Sequence, residues 1–355
     1  MTYWVIRSAP RQAALALGLV VIGATSGAPP ALAGPAPCQT KNVRTGVEYK
    51  GTSAFATALA AAATGDTINV WGSCPSNARI SSDVTLRGKG KNATLDGGKQ
   101  GRVLRIGGGT TTIRDLTITN GKTTSLGGGI YVGSAAVLVG VQVSGNEAGA
   151  NNFGGGIEAD AGSQVTLVNS TVSGNTAGGS GGIDMFSSTV SLTNSIVSGN
   201  HATGATIDGC AFDGGIFSCA GGIWNYHGRL ALVNSRVTGN DAAYRAGGIR
   251  NDATFSGGVP QDGITVLSGS STISSNTAGN QGGGIWASGR VQTDPGPPPV
   301  FAPFSPNGSV QAANGTASYT DPITASTLPA WTGSIAGNSP DECFPTLTIG
   351  SLICG

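Results

Sequence analysis

The triplet Gly-Gly-Ile recurs along the chain, with Ile130, Ile157, Ile183, Ile223, Ile249 and Ile285 closing copies that keep a common spacing. The gaps are 27, 26, 40, 26 and 36 residues, so the unit is about 26 residues long with visible insertions. A second landmark, Val/Ile-x-x-Asn, ends at Asn146, Asn175, Asn200, Asn240, Asn276 and Asn338. In the four uninterrupted units it follows the Ile by 16, 18, 17 and 17 residues. A repeat this short cannot bury an apolar face alone, so neighbouring units must stack into a solenoid.

Within a unit the apolar residues alternate, as in Gln164-Val165-Thr166-Leu167-Val168. That is the two-residue period of strands, in runs too short and too Gly-bounded for helices. The pattern predicts three strands per unit, folded into a triangular coil and paired coil to coil at about 4.8 Å. The expected fold is all-β, a single-stranded right-handed parallel β-helix (solenoid) with a short N-terminal capping helix over Ser53–Ala63. Ile and Val fill the axis, the paired glycines supply positive φ or close approach at a corner, and the Asn takes a left-handed corner.

Sixty glycines and 10% charged residues suit such a stack, and the regular Val, Ile and Leu argue against disorder. Residues 1–33 read as a secretory signal: Arg7 and Arg11, the apolar run Ala13 to Ile22, then Ala31-Leu32-Ala33 before Gly34. Secretion to the extracellular space or cell surface is therefore expected, with cleavage near Ala33 and no transmembrane segment in the mature chain. The expected plan is an N-terminal cap over 34–66 and a β-helix over 67–339, with insertions near 201–219, 253–263 and 289–330. A C-terminal disulfide cap over 340–355 completes it. Cys38, Cys74, Cys210, Cys219, Cys343 and Cys354 all follow the signal, an even count that favours disulfides, with sequence neighbours the favoured pairs. With two histidines and no Cys-x-x-Cys, a zinc site is not expected.

Charge is uneven: twelve Lys or Arg against five acids from Gly34 to Lys122, then five Arg, no Lys and thirteen acids. The basic residues lack interleaved aromatics and lie near the capped end, so nucleic acid is not an expected partner.

The Gly-Gly-Ile repeats resemble those of polymorphic outer-membrane proteins, and the region from Thr52 to Cys343 resembles the pectin-lyase-like superfamily of secreted proteins. The second half of the polymorphic repeat is normally Phe-x-x-Asn, and here the Phe is Val or Ile. The resemblance implies the fold and leaves the activity open among lyases, hydrolases, epimerases and adhesins. The sets Asn-Thr-Asp, Gly-His-Gly, Arg-Ile-Lys and Asp-Pro-His are missing, so no catalytic residue carries over.

The repeat phase nevertheless picks out one face. In each strand opened by Gly-Gly-Ile the Ile points inward, so the next residue and the one two further on are expected to face solvent. Coil by coil these are Tyr131 and Gly133, Glu158 and Asp160, Asp184 and Phe186, Trp224 and Tyr226, Arg250 and Asp252, and Trp286 and Ser288. Trp224, Tyr226 and Trp286 are candidate stacking platforms for sugar rings, with Arg250 holding an acidic or hydroxyl group. A polysaccharide or cell-surface glycan is the expected partner. The alternative is a polysaccharide lyase or glycoside hydrolase. Glu158 and Asp184, about 5 Å apart in one column, suit a retaining mechanism, and Glu158 and Asp160, roughly 7 Å apart, an inverting one. Arg250 is then the candidate lyase base, and calcium a cofactor only under that reading. A third reading is a passive structural surface protein, for which Gly and Asn are scaffolding and the carboxylates merely solubilising.

Overall fold

The computed structural model describes residues 36–204, 211–212, 215–216, 220–256, 259–287, 290–293, 331–339, 343–344, 347–349 and 352–354. The expected signal segment, Cys210 and Cys219 lie outside them, as does most of the insertion after Gln292.

Four columns of parallel strands wind into one solenoid. Sheet I runs through Asp66–Trp71, Val84–Gly88, Thr110–Arg114, Ala135–Val139, Gln164–Val168, Thr189–Thr193, Arg229–Val233, Ile264–Ser268 and Arg290–Gln292. Sheet II follows each of these, from Ser73–Pro75 to Ser334–Ala336. Sheet IV, from Ala78–Ile80 to Cys343–Phe344, carries the Gly-Gly-Ile strands. Between sheets II and IV lies sheet III, six two-residue strands such as Glu147–Ala148 and His201–Ala202. The three-strand coil of the sequence reading therefore gains a fourth side in the central units. Two residues are too few to show a strand alternation, so this side leaves no periodic signal.

Register follows the repeat. Ile130, Ile157, Ile183, Ile223, Ile249 and Ile285 pair one over another in sheet IV and are all fully buried. Each contributes on the order of 2 kcal/mol by leaving water. The core is one apolar column closed at its start by the helix α1 (Ala54–Ala60), whose Phe55 and Ala58 are buried in it. The N-terminal strands Gln39–Asn42 and Glu48–Lys50 cover the edge of sheet I in antiparallel pairing. Cys38 and Cys74 form a disulfide that ties this cap to the first coil.

Two corner assignments change. The ladder asparagines are not left-handed; the residue before them is, as at Gly145, Gly174, Gly199 and Gly239. Each Asn instead points inward and joins the coils: Asn146 Nδ2 donates to Asn175 Oδ1 at 3.0 Å, Asn175 to Asn200 at 2.9 Å, and Asn200 to Asn240 at 2.9 Å. The left-handed asparagines are Asn169, Asn194 and Asn234, at the turn from sheet I to sheet II, and Asn120, after a sheet II strand. The paired glycines serve by close approach and not by positive φ: a Cβ on Gly182 would sit 2.3 Å from the carbonyl oxygen of Gly222 in the next coil.

Candidate functional site

The outward column of sheet IV reads Arg79, Arg105, Tyr131, Glu158, Asp184, Trp224, Arg250 and Trp286 in successive strands, in register. The sequence reading placed the Tyr131-to-Trp286 residues correctly on one face. It expected them in solvent, and there the structure differs. Glu158 is 2% exposed, Asp184 5%, Trp224 3% and Arg250 5%. The reason is that the corner before each Gly-Gly-Ile folds back over the strand. The backbones of Gly127 and Gly154 lie against Glu158, so that a Cβ on Gly154 would be 2.9 Å from Glu158 Oε2. Phe153, on the same corner, packs edge-on against Trp224 with ring centroids 5.1 Å apart. It also lies against Gly179, where a Cβ would be 1.9 Å from its ring. Asp184 sits between Glu158 and Trp224 in the column.

Three clusters make up this covered seam. At its N-terminal end the Tyr131 hydroxyl donates to Asp160 Oδ2, and the guanidinium carbons of Arg102 and Arg105 stand 5.1 and 4.4 Å from the Tyr131 ring centroid. Burial, aided by the Asp160 carboxylate, pushes the Tyr131 hydroxyl up to about 12. Arg102 Nε also donates to the carbonyls of Leu126 and Gly127, which anchors the corner over Glu158.

In the middle, Glu158 and Asp184 stand directly beside each other on adjacent strands. Glu158 Oε2 and Asp184 Oδ1 have no hydrogen-bond partner among the described residues. Burial drives both carboxyls toward the neutral form: Glu158 lies well above the ordinary range and Asp184 is pushed up to about 8.

At the C-terminal end, Trp224 Nε1 and Arg250 Nε both donate to Asp252 Oδ2, at 2.7 and 2.6 Å. The Arg250 guanidinium lies 4.1 Å from the centroid of the half-buried Trp286 ring.

The second outward position is more open in the strands from Tyr131 to Trp224. Phe186 is 44% exposed, and Asp160 and Tyr226 are half-buried. The Phe186 and Tyr226 rings stack at 5.5 Å with their planes 12° apart, and His227 stacks on Tyr226 at 3.8 Å. Asp252 is buried and paired, and Ser288 lies outside the described residues.

Sequence reasoning missed two polar features. Asn225 and Asn251 sit fully buried on the inward side of sheet IV, joined by a 2.7 Å bond and completed by the Gly228 N–H, the Gly263 carbonyl and the Thr265 hydroxyl. Asparagine following Ile by two residues, at positions that hold Val, Ala or Met in the other coils, was the available signal. On sheet III, His201 Nδ1 meets Asp241 Oδ2 at 2.7 Å, and Lys122 meets Glu147 at 2.9 Å; these are half-exposed pairs between coils. Among the described residues no group of three His, Cys, Asp or Glu is placed to hold a metal ion, and no helix is long and apolar enough to cross a membrane.

Residues 81–242 match the family described as a right handed beta helix region. No curated protein and no solved structure matches the chain. With its parallel sheets stacked in register, the chain folds as a right-handed parallel β-helix.

Proposed function

We propose that this β-helix is an exported, non-catalytic binding protein that holds a polysaccharide or cell-surface glycan along the open edge of sheet IV. The observation that carries this reading is the split in exposure across that sheet. Phe186 stands 44% exposed beside half-buried Tyr226 and Asp160, an apolar surface next to polar groups of the kind a sugar ring meets. Among the described residues the other large apolar side chains this open are Val43 and Val47, in the N-terminal cap.

The same split argues against the enzyme reading. Glu158 and Asp184 are buried, with the Gly127 and Gly154 corners against Glu158, and Arg250 is spent on Asp252 and Trp286. A polymer chain has no approach to these groups, so neither hydrolysis by the carboxyl pair nor proton abstraction by Arg250 fits. Trp224 drops out as a sugar platform for the same reason, and Phe186 takes its place. Export in this proposal rests on the signal-like sequence of residues 1–33.

Affinity electrophoresis through gels containing neutral, acidic and amino polysaccharides tests it. Retardation by at least one polymer is expected, lost in Phe186→Ala with Tyr226→Ala while the melting temperature holds. A wild-type chain that migrates freely through every gel, or an unchanged double variant, overturns the reading. The first outcome favours a stiff spacer without a ligand, the role to which the internal pairing of the seam also points.

A further inference from the structure

Glu158 and Asp184 are the one part of the seam that neither the scaffold nor the proposed binding edge puts to use. Their strands are adjacent and in register, Glu158 over Asp184, so the two side chains leave the sheet at the same height one coil apart. Both are almost completely withdrawn from water, and each has an oxygen without a partner. A buried carboxyl pair is tolerable when it shares a proton, because two like charges at this separation cannot both be held in a dry site.

The surroundings offer little relief for a second charge. On the N-terminal side the facing groups are Tyr131, Asp160, Arg102 and Arg105. The Asp160 carboxylate opposes further charge, Arg102 favours it, and Arg102 is itself engaged with Leu126 and Gly127. On the C-terminal side the facing groups are Asp252 and Arg250, which neutralise each other. The corners packed over the pair, residues 124–128, 150–156 and 178–182, contain no titratable side chain. Stabilisation of a doubly ionised pair must therefore come from water.

Water reaches the pair by one movement. Gly154 lies against Glu158 Oε2 and Phe153 against Trp224, and they belong to a corner whose neighbours Asn151 and Asn152 are exposed and half-buried. The corner is held by its two neighbouring coils: the Gly127 and Gly128 N–H groups donate to the Phe153 and Gly154 carbonyls at 3.0 and 2.9 Å, the Gly179 N–H to the Asn152 carbonyl at 2.9 Å and Asn152 Nδ2 to the Thr124 carbonyl at 2.8 Å, and the Phe153 ring packs on Trp224. The strand beneath, Ile157–Ala159, is locked by its neighbours on both sides.

We propose that the Glu158–Asp184 pair is a proton-operated latch for the corner Ala150–Gly154: with the shared proton in place the corner is shut over the seam, and its loss lifts Phe153 from Trp224 and admits water. The proton goes to solvent and no other bond changes. The direction is fixed by the carboxyls being raised: the closed form is fully favoured below the ordinary carboxylate range and loses that advantage as pH climbs through the raised values, about 8 for Asp184.

Amide hydrogen exchange of the full chain, corrected for the intrinsic pH dependence of exchange and read on the peptide spanning residues 149–156, tests the latch between about pH 5 and about pH 9. Protection of that peptide is expected to fall at least tenfold toward alkaline pH, while the peptide over Gln164–Val168 stays protected. Glu158→Gln with Asp184→Asn keeps the shapes and removes the titration, so its corner is expected to stay protected throughout. Wild-type protection that does not change with pH overturns the latch, as does a fall of equal size in the double variant. If the double variant does not fold, Asp184→Asn alone, which leaves Glu158 as the one titrating carboxyl of the pair, is expected to move the pH at which protection falls, and a fall at the wild-type pH overturns the latch.

Discussion

Trp224 and Arg250, neighbours in one column, donate to the same oxygen, Asp252 Oδ2, at 2.7 and 2.6 Å. One carboxylate thus satisfies an indole and balances a guanidinium that burial would otherwise expose to a dry environment. Removing it leaves both donors stranded. Asp252→Ala is expected to lower stability by about 3–5 kcal/mol, the usual cost of breaking a buried pair from one side. Asp252→Asn, which keeps an acceptor for Trp224, is expected to cost less. Urea unfolding followed by far-UV circular dichroism measures both, and equal losses for the two variants contradict the assignment.

The asparagine ladder carries a similar obligation. Asn200 Nδ2 donates to Val172 O and Asn240 Oδ1, while its own Oδ1 accepts from the Asn175 backbone and side chain. Asn200→Ala leaves the Asn175 donors and the Asn240 acceptor short of partners, at about 1–3 kcal/mol for each buried group so exposed. Exchange protection is expected to drop in the coils on either side of Asn200 and to hold near α1. Protection that drops equally along the whole solenoid is the contrary result.

These ladders also mark what could be read from the sequence. The spacing of Ile and Asn was enough to stack the coils in register, because identical residues at one phase have one way to superpose. It was enough to gather Tyr131, Glu158, Asp184, Trp224, Arg250 and Trp286 into a column. Their burial was not readable. Strand alternation says which side of a strand a residue occupies, not whether another segment lies on that side. The cover comes from Phe153 and the glycine corners, whose path depends on tertiary packing. For the same reason Phe186, one position in from the turn, was legible as outward but not as the side chain left uncovered.

Glycine roles separate by position, and substitution distinguishes them. At Gly182 a Cβ meets the Gly222 carbonyl oxygen at 2.3 Å, so Gly182→Ala forces two coils apart and is expected to cost about 1–3 kcal/mol. At Gly174 there is open space but a φ of +61°, so Gly174→Asn, which accepts the left-handed region, is expected to be nearly neutral. Melting temperatures of the two variants decide the matter. A Gly182→Ala chain as stable as wild type shows that the coils are not in close approach there.

The disulfide links residues 36 apart in sequence. A closed loop of that size restrains the unfolded chain by about 4 kcal/mol on the chain-entropy account. Reduction, or Cys38→Ser with Cys74→Ser, is expected to lower the unfolding midpoint and to expose the cap over α1 to protease before the central coils. Cleavage that begins in the central coils instead counts against the cap being the tied element.

The cap contains a carboxylate with the opposite pH dependence to the seam. Arg44 Nε lies 2.5 Å from Asp66 Oδ1, while Asn42 Nδ2 and the Ala63 N–H donate to Oδ2 at 2.7 and 2.9 Å. These bonds, that from Arg44 foremost, hold the Asp66 carboxyl far below the ordinary carboxylate range. A depressed carboxyl adds stability that is complete above its unfolded value, about 3.9, and is lost as pH falls below it. The raised Glu158–Asp184 pair loses its contribution in the other direction, as pH rises toward about 8. Melting temperature against pH is therefore expected to be dome-shaped, with its maximum between the two limbs. Asp66→Asn is expected to flatten the acid limb alone, and Glu158→Gln with Asp184→Asn the alkaline limb alone. Calorimetry from about pH 2 to about pH 9 resolves the limbs. An acid limb that survives Asp66→Asn unchanged places its origin elsewhere in the chain.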